Sequence, residues 1–445
     1  MQSISERGRA LVEQTPWFSG RRDQPLEDLC EALLSNRGEA SGVALATAIL
    51  DRYDTLNADE RLRFLKMLVD RFGADMAAVD LAIANYQAKP SHAHLLDLHL
   101  AAEPRRQELI RRLNLSPMGT QRLVRMRQHL FAFEQDHPEL FALDADFRHL
   151  FSSWFNRGFL VLRPIDWKTP ANILEKIIRY EAVHAIRNWD DLRRRLEPPD
   201  RRCFAFFHPQ IIDEPLIFVE VALTVDPAQS IDALLAEHRV LLEPRKANTA
   251  VFYSISNCQE GLRGISFGHF LIKQVVEELQ RLNLGLKTFV TLSPLPGFAA
   301  WVRRERDNPH SDMMNNDTRA LLQGLEDPAW PNQSAYCESI KPILLGLAAS
   351  YILLARGGGG RLLDPVARFH LGNGARFERL NWAADLSEKG LQHSFGLMVN
   401  YLYDLPSIEE NHEAFRNGGA IAASGEVKQW LRLLQGLGGH GQSLI

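Results

Sequence analysis

Cysteine is scarce in this chain. Four residues, Cys30, Cys203, Cys258 and Cys337, are scattered through 445 positions with no Cys-x-x-Cys among them. That disfavours a zinc ribbon or a disulfide framework and fits a reducing compartment. Long apolar runs are also missing. None approaches the roughly 20 residues that span a bilayer, so no membrane partner is expected. Neither sign of charge dominates, and a formal net charge of -4 gives no electrostatic case for nucleic acid. The N-terminal stretch lacks an apolar core behind its basic residues, unlike a secretory leader. The last three residues, Ser443, Leu444 and Ile445, depart from the peroxisomal Ser-Lys-Leu address. The cytoplasm is the expected compartment.

What is present is an ordinary globular balance, 45% hydrophobic and 24% charged, in a chain long enough for two or more domains. Residues 26 to about 155 read as helical. Asn57 and Glu60 have capping-box spacing, and Leu62, Phe64, Leu65, Leu68 and Val69 follow as one apolar stripe. Ser116-Pro117 predicts another helix start, with Leu123, Met126, Leu130 and Phe133 at helical spacing behind it. This region carries no reactive constellation and reads as scaffold or oligomer interface. His92, His94 and His99 cluster, but no two stand four apart, so a helix does not pair them on one face and a packing or surface role is expected. The arginine pairs at 105–106 and 111–112, and the run at 193–195, are expected on solvated helix faces.

From about residue 159 the pattern changes. Strand-like runs at 159–162, 203–208 and 216–224 alternate with short helices at 170–180, 188–196 and 230–238. Residues 251–298 then form a strand, a glycine-punctuated loop, an amphipathic helix, a second strand and a proline-bounded serine. Gly261, Gly264 and Gly268 let the backbone turn and approach a ligand. The helix stripe Leu271, Ile272, Val275, Val276, Leu279 and Leu282 faces a core, while free N–H groups at its start favour an anion. Ser293 ends the next strand, before Pro294. A serine at a strand tip above such a loop can contact a ligand's reacting end, but local sequence favours a turn or cap serine.

Downstream, residues 340–354 read as an apolar helix and 357–360 as a flexible break. Residues 366–371 read as a strand that carries His370 into a turn at 372–374. An imidazole there suits proton transfer near neutrality. Tyr401 and Tyr403 lie near another element end, and the glycine-rich tail at 436–441 reads as disordered.

Together these stretches resemble the malonyl-CoA decarboxylase family. The resemblance rests on residues 252–279, 291–301, 367–390 and 395–405, spread over roughly 188–405. It implies an α+β chain: an all-helical oligomerisation domain at 1–154, then an acetyltransferase-like mixed α/β catalytic domain at 155–445. It implies conversion of malonyl-CoA to acetyl-CoA and CO2 with no metal or prosthetic group, coenzyme A being part of the substrate. Self-association as a homotetramer, a dimer of dimers, is also implied. By resemblance Ser293, His370 and Tyr403 are the catalytic residues. Arg263, Gly264, Ile265, Ser266, Phe267, Gly268 and His269 are the acyl-CoA loop. Ser266 stands where vertebrate members have glutamate. An acyl-CoA-dependent N-acyltransferase is the alternative activity for such a loop.

Overall fold

The computed structural model describes residues 24–35, 38–265, 271–282, 285–311 and 313–437. The chain divides into two compact units. One contains residues 1–161 with segments 207–214 and 259–268; the other contains 162–206, 215–258 and 269–445.

Up to Trp154 the described part of the first unit is helical, from Leu26–Leu34 to Phe141–Trp154. Asn57 and Glu60 form the expected reciprocal cap, each side chain taking the other's backbone N–H at 3.0 Å. The stripe behind them buries Phe64, Leu65 and Leu68, and Leu45, Ile49, Leu109, Ile110, Leu123 and Phe147 complete the core. Two expectations are corrected here. Ser116 caps nothing ahead of it. The next helix starts at Gly119 behind left-handed Met118, and Ser116 Oγ donates back to Leu113 O at 2.8 Å. Arg106 is not solvated either. It is buried against Asp146, with Nε to Oδ2 at 2.5 Å, because a long cation can bury its stem when a carboxylate meets its head. The hairpin of Met76–Ala88 and His92–Ala102 buries only Ala82 and leaves Met76, Leu81, Leu95, Leu96 and Leu100 exposed. His92, His94 and His99 lie on this hairpin; among the described residues no group of three or more His, Cys, Asp or Glu side chains is placed to hold a metal. No described helix is long and apolar enough to cross a membrane.

Eight strands are described: β1 (Val161–Ile165), β2 (Arg201–His208), β3 (Ile211–Thr224), β4 (Thr249–Asn257), β5 (Thr288–Thr291), β6 (Ser293–Pro294), β7 (Arg376–Asn381) and β8 (Met398–Leu402). They form one sheet in the order β1-β2-β3-β4-β5-β8-β6, with β7 also on β8. β4 and β5 are its parallel pair, joined through the amphipathic helix Leu271–Arg281, while β3 with β4 and β5 with β8 are antiparallel. Val251, Tyr253, Val290, Leu292 and Met398 pack as one buried cluster of this mixed sheet. The helix Ser334–Leu353 is the apolar one expected, and it buries Ile340, Leu344, Leu347 and Ile352. The architecture is thus α+β, a helical first part followed by a mixed sheet with helices.

Candidate active site

The second strand of the 251–298 stretch carries the site's first members. Thr291 ends β5 and Ser293 opens β6, where Pro294 ends donation to the ladder. Side chains two apart share a face of extended chain, and Ser293 Oγ donates to Thr291 Oγ1 at 2.8 Å. Ser293 is therefore a strand residue facing a neighbour, not a helix cap. It is 5% exposed.

His370 arrives on a helix, which corrects the strand read at 366–371. Asp364 Oδ1 accepts from Ala367 N at 2.7 Å, and Pro365 occupies the first turn of the helix Pro365–Gly372. An Asp-Pro start is a helix signal, and it outweighs the β-like side chains that follow. The helix stops at a tight turn in which Gly374 has φ +81; a Cβ there would lie 2.1 Å from Ile408 O. The return strand β7 begins at Arg376.

The fold brings the three expected catalytic residues together. His370 Nε2 is 3.1 Å from Ser293 Oγ, and His370 Nδ1 is 2.8 Å from Tyr403 Oη. Tyr401 lies flat against the imidazole, ring centres 4.7 Å apart and planes 23° apart. Burial pushes the His370 pKa down to about 3 and that of Tyr403 well above its usual value. The imidazole is therefore neutral across the physiological range, which changes the expectation of a group titrating near neutrality. A neutral imidazole has one N–H and one lone pair. With Ser293 donating to Thr291, the rest of the order follows: Nε2–H donates to Ser293, and Tyr403 donates to Nδ1. The result is a neutral proton chain in a dry setting, suited to donating toward a developing anion as a neutral electrophile.

The described part of the glycine loop does something the sequence reading did not give it. Gln259 to Ile265 contains a 3-10 turn at Glu260–Leu262 and left-handed Gly264, φ +78. Arg127 Nη1 donates to Gly261 O at 2.8 Å and to Arg263 O at 2.9 Å, while its Nε holds Asp144 at 2.7 Å. A Cβ at Gly261 would lie 1.9 Å from Val124 O. Gly261 is thus required for close approach to the helix Gly119–Phe131, not for approach of a ligand. Arg263 lays its guanidinium over Phe131, 4.2 Å from the ring centre. Ile265 is buried. Ser266, Phe267, Gly268 and His269 lie outside the described residues, as does the end of the glycine-rich tail.

Thr291 and Asp364 have no part in the sequence reading, and Tyr401 enters it only as a phenol near an element end, with no place at the site. The available signals were two-residue spacing from Ser293 and from Tyr403, and the Asp-Pro cap. The arginine run at 193–195 is also not wholly solvated: Arg195 is 3% exposed and paired with Glu220 at 3.0 Å.

A family model described as malonyl-CoA decarboxylase C-terminal domain matches residues 158–436, and one described as the N-terminal domain of the same enzyme matches 72–155. The chain belongs to the malonyl-CoA decarboxylase family. It is 33% identical to the mitochondrial malonyl-CoA decarboxylase of Anser anser anser, over 97% of this chain and 91% of that protein. Against the crystal structure of malonyl-CoA decarboxylase from Rhodopseudomonas palustris it is 57% identical with a TM-score of 0.88, covering 91% of this chain and 98% of the other. Against that from Agrobacterium vitis the values are 58% and 0.87, covering 91% and 99%.

Proposed function

We propose that the chain is a carboxy-lyase that converts malonyl-CoA to acetyl-CoA and CO2, with Ser293, His370 and Tyr403 as its catalytic residues. The observation that carries the assignment of roles is the continuous hydrogen-bond chain through both nitrogens of His370. The bond from C2 to the carboxylate breaks, CO2 leaves neutral, and the electron pair moves onto the thioester oxygen as an enolate. The enolate carbon then takes a proton, which solvent restores to the enzyme. The substrate's own thioester is the electron sink, so the reaction as written asks for no metal or prosthetic group.

Each residue has a task in that sequence. Ser293, its hydroxyl turning from Thr291 to the bound substrate, holds the departing carboxylate or the thioester oxygen and passes a proton on. His370, as a neutral N–H donor, supplies the proton for C2, a step worth about 10²–10⁴-fold. Tyr403 sets the imidazole's orientation and tautomer. Arg263, Gly264, Ile265, Ser266, Phe267, Gly268 and His269 form the acyl-CoA loop in this reading. Support comes from the family resemblance of this stretch and from the anion preference of a helix start.

The test is incubation of the pure protein with malonyl-CoA alone, followed by assay of CO2 and acetyl-CoA. Equal yields are expected, with turnover lowered at least about 10²-fold in folded Ser293→Ala and His370→Ala. Coenzyme A release only when an amine is added would instead assign an N-acyltransferase. Near-wild-type turnover in either variant would remove that residue from the mechanism.

We further infer a helical self-association domain at 1–154, a catalytic domain at 155–445, and a homotetramer built as a dimer of dimers. The exposed leucines of the Met76–Ala88 and His92–Ala102 hairpin support an interface in the helical part. Sedimentation of Leu96→Asp should show smaller species; an unchanged mass would exclude this hairpin from the interface. Cytoplasmic residence belongs to the same reading and is tested by fractionation of the source cells.

A further inference from the structure

We propose that Thr291 is a positioning residue for the decarboxylation: its hydroxyl fixes the direction of the Ser293 proton and, through it, the tautomer of His370. This rests on the reading of Ser293 and His370 given above.

The argument begins with the sheet. β5 and β8 are antiparallel, with Val290 opposite Leu402. One step further along, ordinary ladder bonding gives way to side chains. Tyr401 N–H donates to Thr291 Oγ1 at 3.1 Å, and Thr291 O accepts from Asn400 Nδ2 at 2.6 Å. Buried backbone groups at such a gap need partners, and here side chains supply both. The Asn400 amide is itself held, its Oδ1 accepting from Arg379 Nε at 3.0 Å and from Asn381 Nδ2 at 2.8 Å. The threonine hydroxyl is thus inserted into the ladder where a carbonyl normally stands. It is fully buried, and its β-branched side chain is stiff about χ1.

That immobile oxygen faces Ser293. A serine hydroxyl rotates to suit its surroundings, so the proton of Ser293 goes where a fixed acceptor waits. With the proton on the Thr291 side, a lone pair of Ser293 is turned toward His370 Nε2, which must then carry the N–H. Nδ1 is left as acceptor for Tyr403 Oη–H. Control of an imidazole tautomer through the partner of one ring nitrogen is the general logic of catalytic triads. Here it operates from two hydrogen bonds away. Replacing the hydroxyl by a methyl removes the acceptor. Ser293 then turns its proton to Nε2, Nδ1 carries the N–H toward Tyr403, and the donor that faced Ser293 is lost.

Thr291→Val and Thr291→Ser separate this role from packing. Valine keeps the shape and deletes the oxygen, whereas serine keeps the oxygen. The full chain is assayed with malonyl-CoA beside Ser293→Ala. We expect Thr291→Val to lower kcat about 10²-fold with KM within about twofold, and Thr291→Ser to restore kcat to within a few-fold of wild type. The second readout is the ¹⁵N chemical shifts of the His370 ring: Nε2–H in the wild type and in Thr291→Ser, Nδ1–H in Thr291→Val. Should the valine variant fail to fold, Thr291→Cys, with a weaker acceptor of similar size, takes its place under the same expectations. Wild-type kcat and an unchanged ring tautomer in a folded Thr291→Val, with Ser293→Ala impaired, would overturn the proposal alone. An unimpaired Ser293→Ala would overturn it together with the reading beneath it.

Discussion

Two of the buried polar networks in the sheet unit are built oppositely. The first is Tyr403–His370–Ser293–Thr291, which has no formal charge. The second joins Glu181, Arg195, Glu220, Ser254 and Ser256 and is dense with charge. In it Arg195 donates to Glu220 at 3.0 Å and to the carbonyls of His184 and Ala185 at 2.8 and 3.2 Å. Ser254 donates to both oxygens of Glu181, at 2.9 and 2.7 Å. These bonds tie the 181–185 segment to β3 and β4 beside the register shift between Glu220 and Val221. A charge fixed by several partners in a low dielectric resists movement, and that suits a brace. A neutral chain of hydroxyls around one imidazole can reverse its proton order without creating buried charge, and that suits catalysis. Burial of polar groups alone therefore does not mark an active site. The kind of polarity does.

Substitutions that break the two networks should separate activity from stability. The largest effect is expected at His370→Ala, with turnover reduced about 10²–10⁴-fold and the unfolding transition close to wild type. Because the wild-type imidazole is already neutral, kcat should also show no acid limb near pH 6.5. A limb there that disappears in His370→Ala would contradict the neutral donor. Arg195→Met should do the reverse. It takes the guanidinium away from the buried Glu220, and breaking such a pair costs about 3–5 kcal/mol where the carboxyl is ionised, above about pH 8. Denaturant unfolding should reveal that loss, while turnover per folded molecule stays near wild type. Equal losses of turnover and stability in both variants would erase the distinction between the networks.

How much of this was legible in sequence follows the same division. The 251–298 stretch gives its strands, its helix and its serine because period, glycines and prolines are local signals. The helical first part is legible for the same reason. His370 is visible as a residue but its helix is not, because the β-like run behind Asp364-Pro365 masks the cap. Gly261 looked like a ligand-facing glycine; its neighbour is Val124 O, from 137 positions earlier in the chain. Arg195 looked solvated because its partners, Glu220 and the carbonyls at 184 and 185, are set by the fold. Local sequence cannot contain such pairings, and the family resemblance brought Ser293, His370 and Tyr403 forward without Thr291.

A smaller effect is expected from the titration of the charged network. Burial pushes Glu220 up to about 8, against the opposing pull of Arg195. Asp364, at the start of the His370 helix, is pushed up to about 7, also by burial. Both folded values lie above the unfolded ones. The stabilisation from keeping these protons is complete below the unfolded carboxyl pKa and is lost as pH rises through about 7 to 8. The unfolding free energy should fall from about the unfolded carboxyl pKa up to each folded value, with a limiting slope of about 1.4 kcal/mol per pH unit for each group, and level off above about 8. Glu220→Gln should flatten the upper part of the fall and Asp364→Asn the lower part. A wild-type stability that rises from pH 7 to 9 would show that these carboxyls are ionised throughout.

The smallest effect belongs to Tyr403→Phe, and it sharpens the neutral network from within. The substitution removes the phenol that meets Nδ1 at 2.8 Å and leaves the ring in place against Phe252. If Tyr403 only orients the imidazole, Ser293 still holds Nε2, and Tyr401 still fixes the ring plane. The loss is then that of one neutral hydrogen bond, about 0.5–1.5 kcal/mol, or a two- to tenfold fall in kcat at constant KM. If Tyr403 were the source of the transferred proton, nothing else in the chain could replace it, and the fall would match that of His370→Ala. The combined variant decides between these. An orienting phenol adds nothing once the imidazole is gone, so Tyr403→Phe in a His370→Ala background should leave residual turnover unchanged; a further fall would give the phenol a task of its own at the substrate.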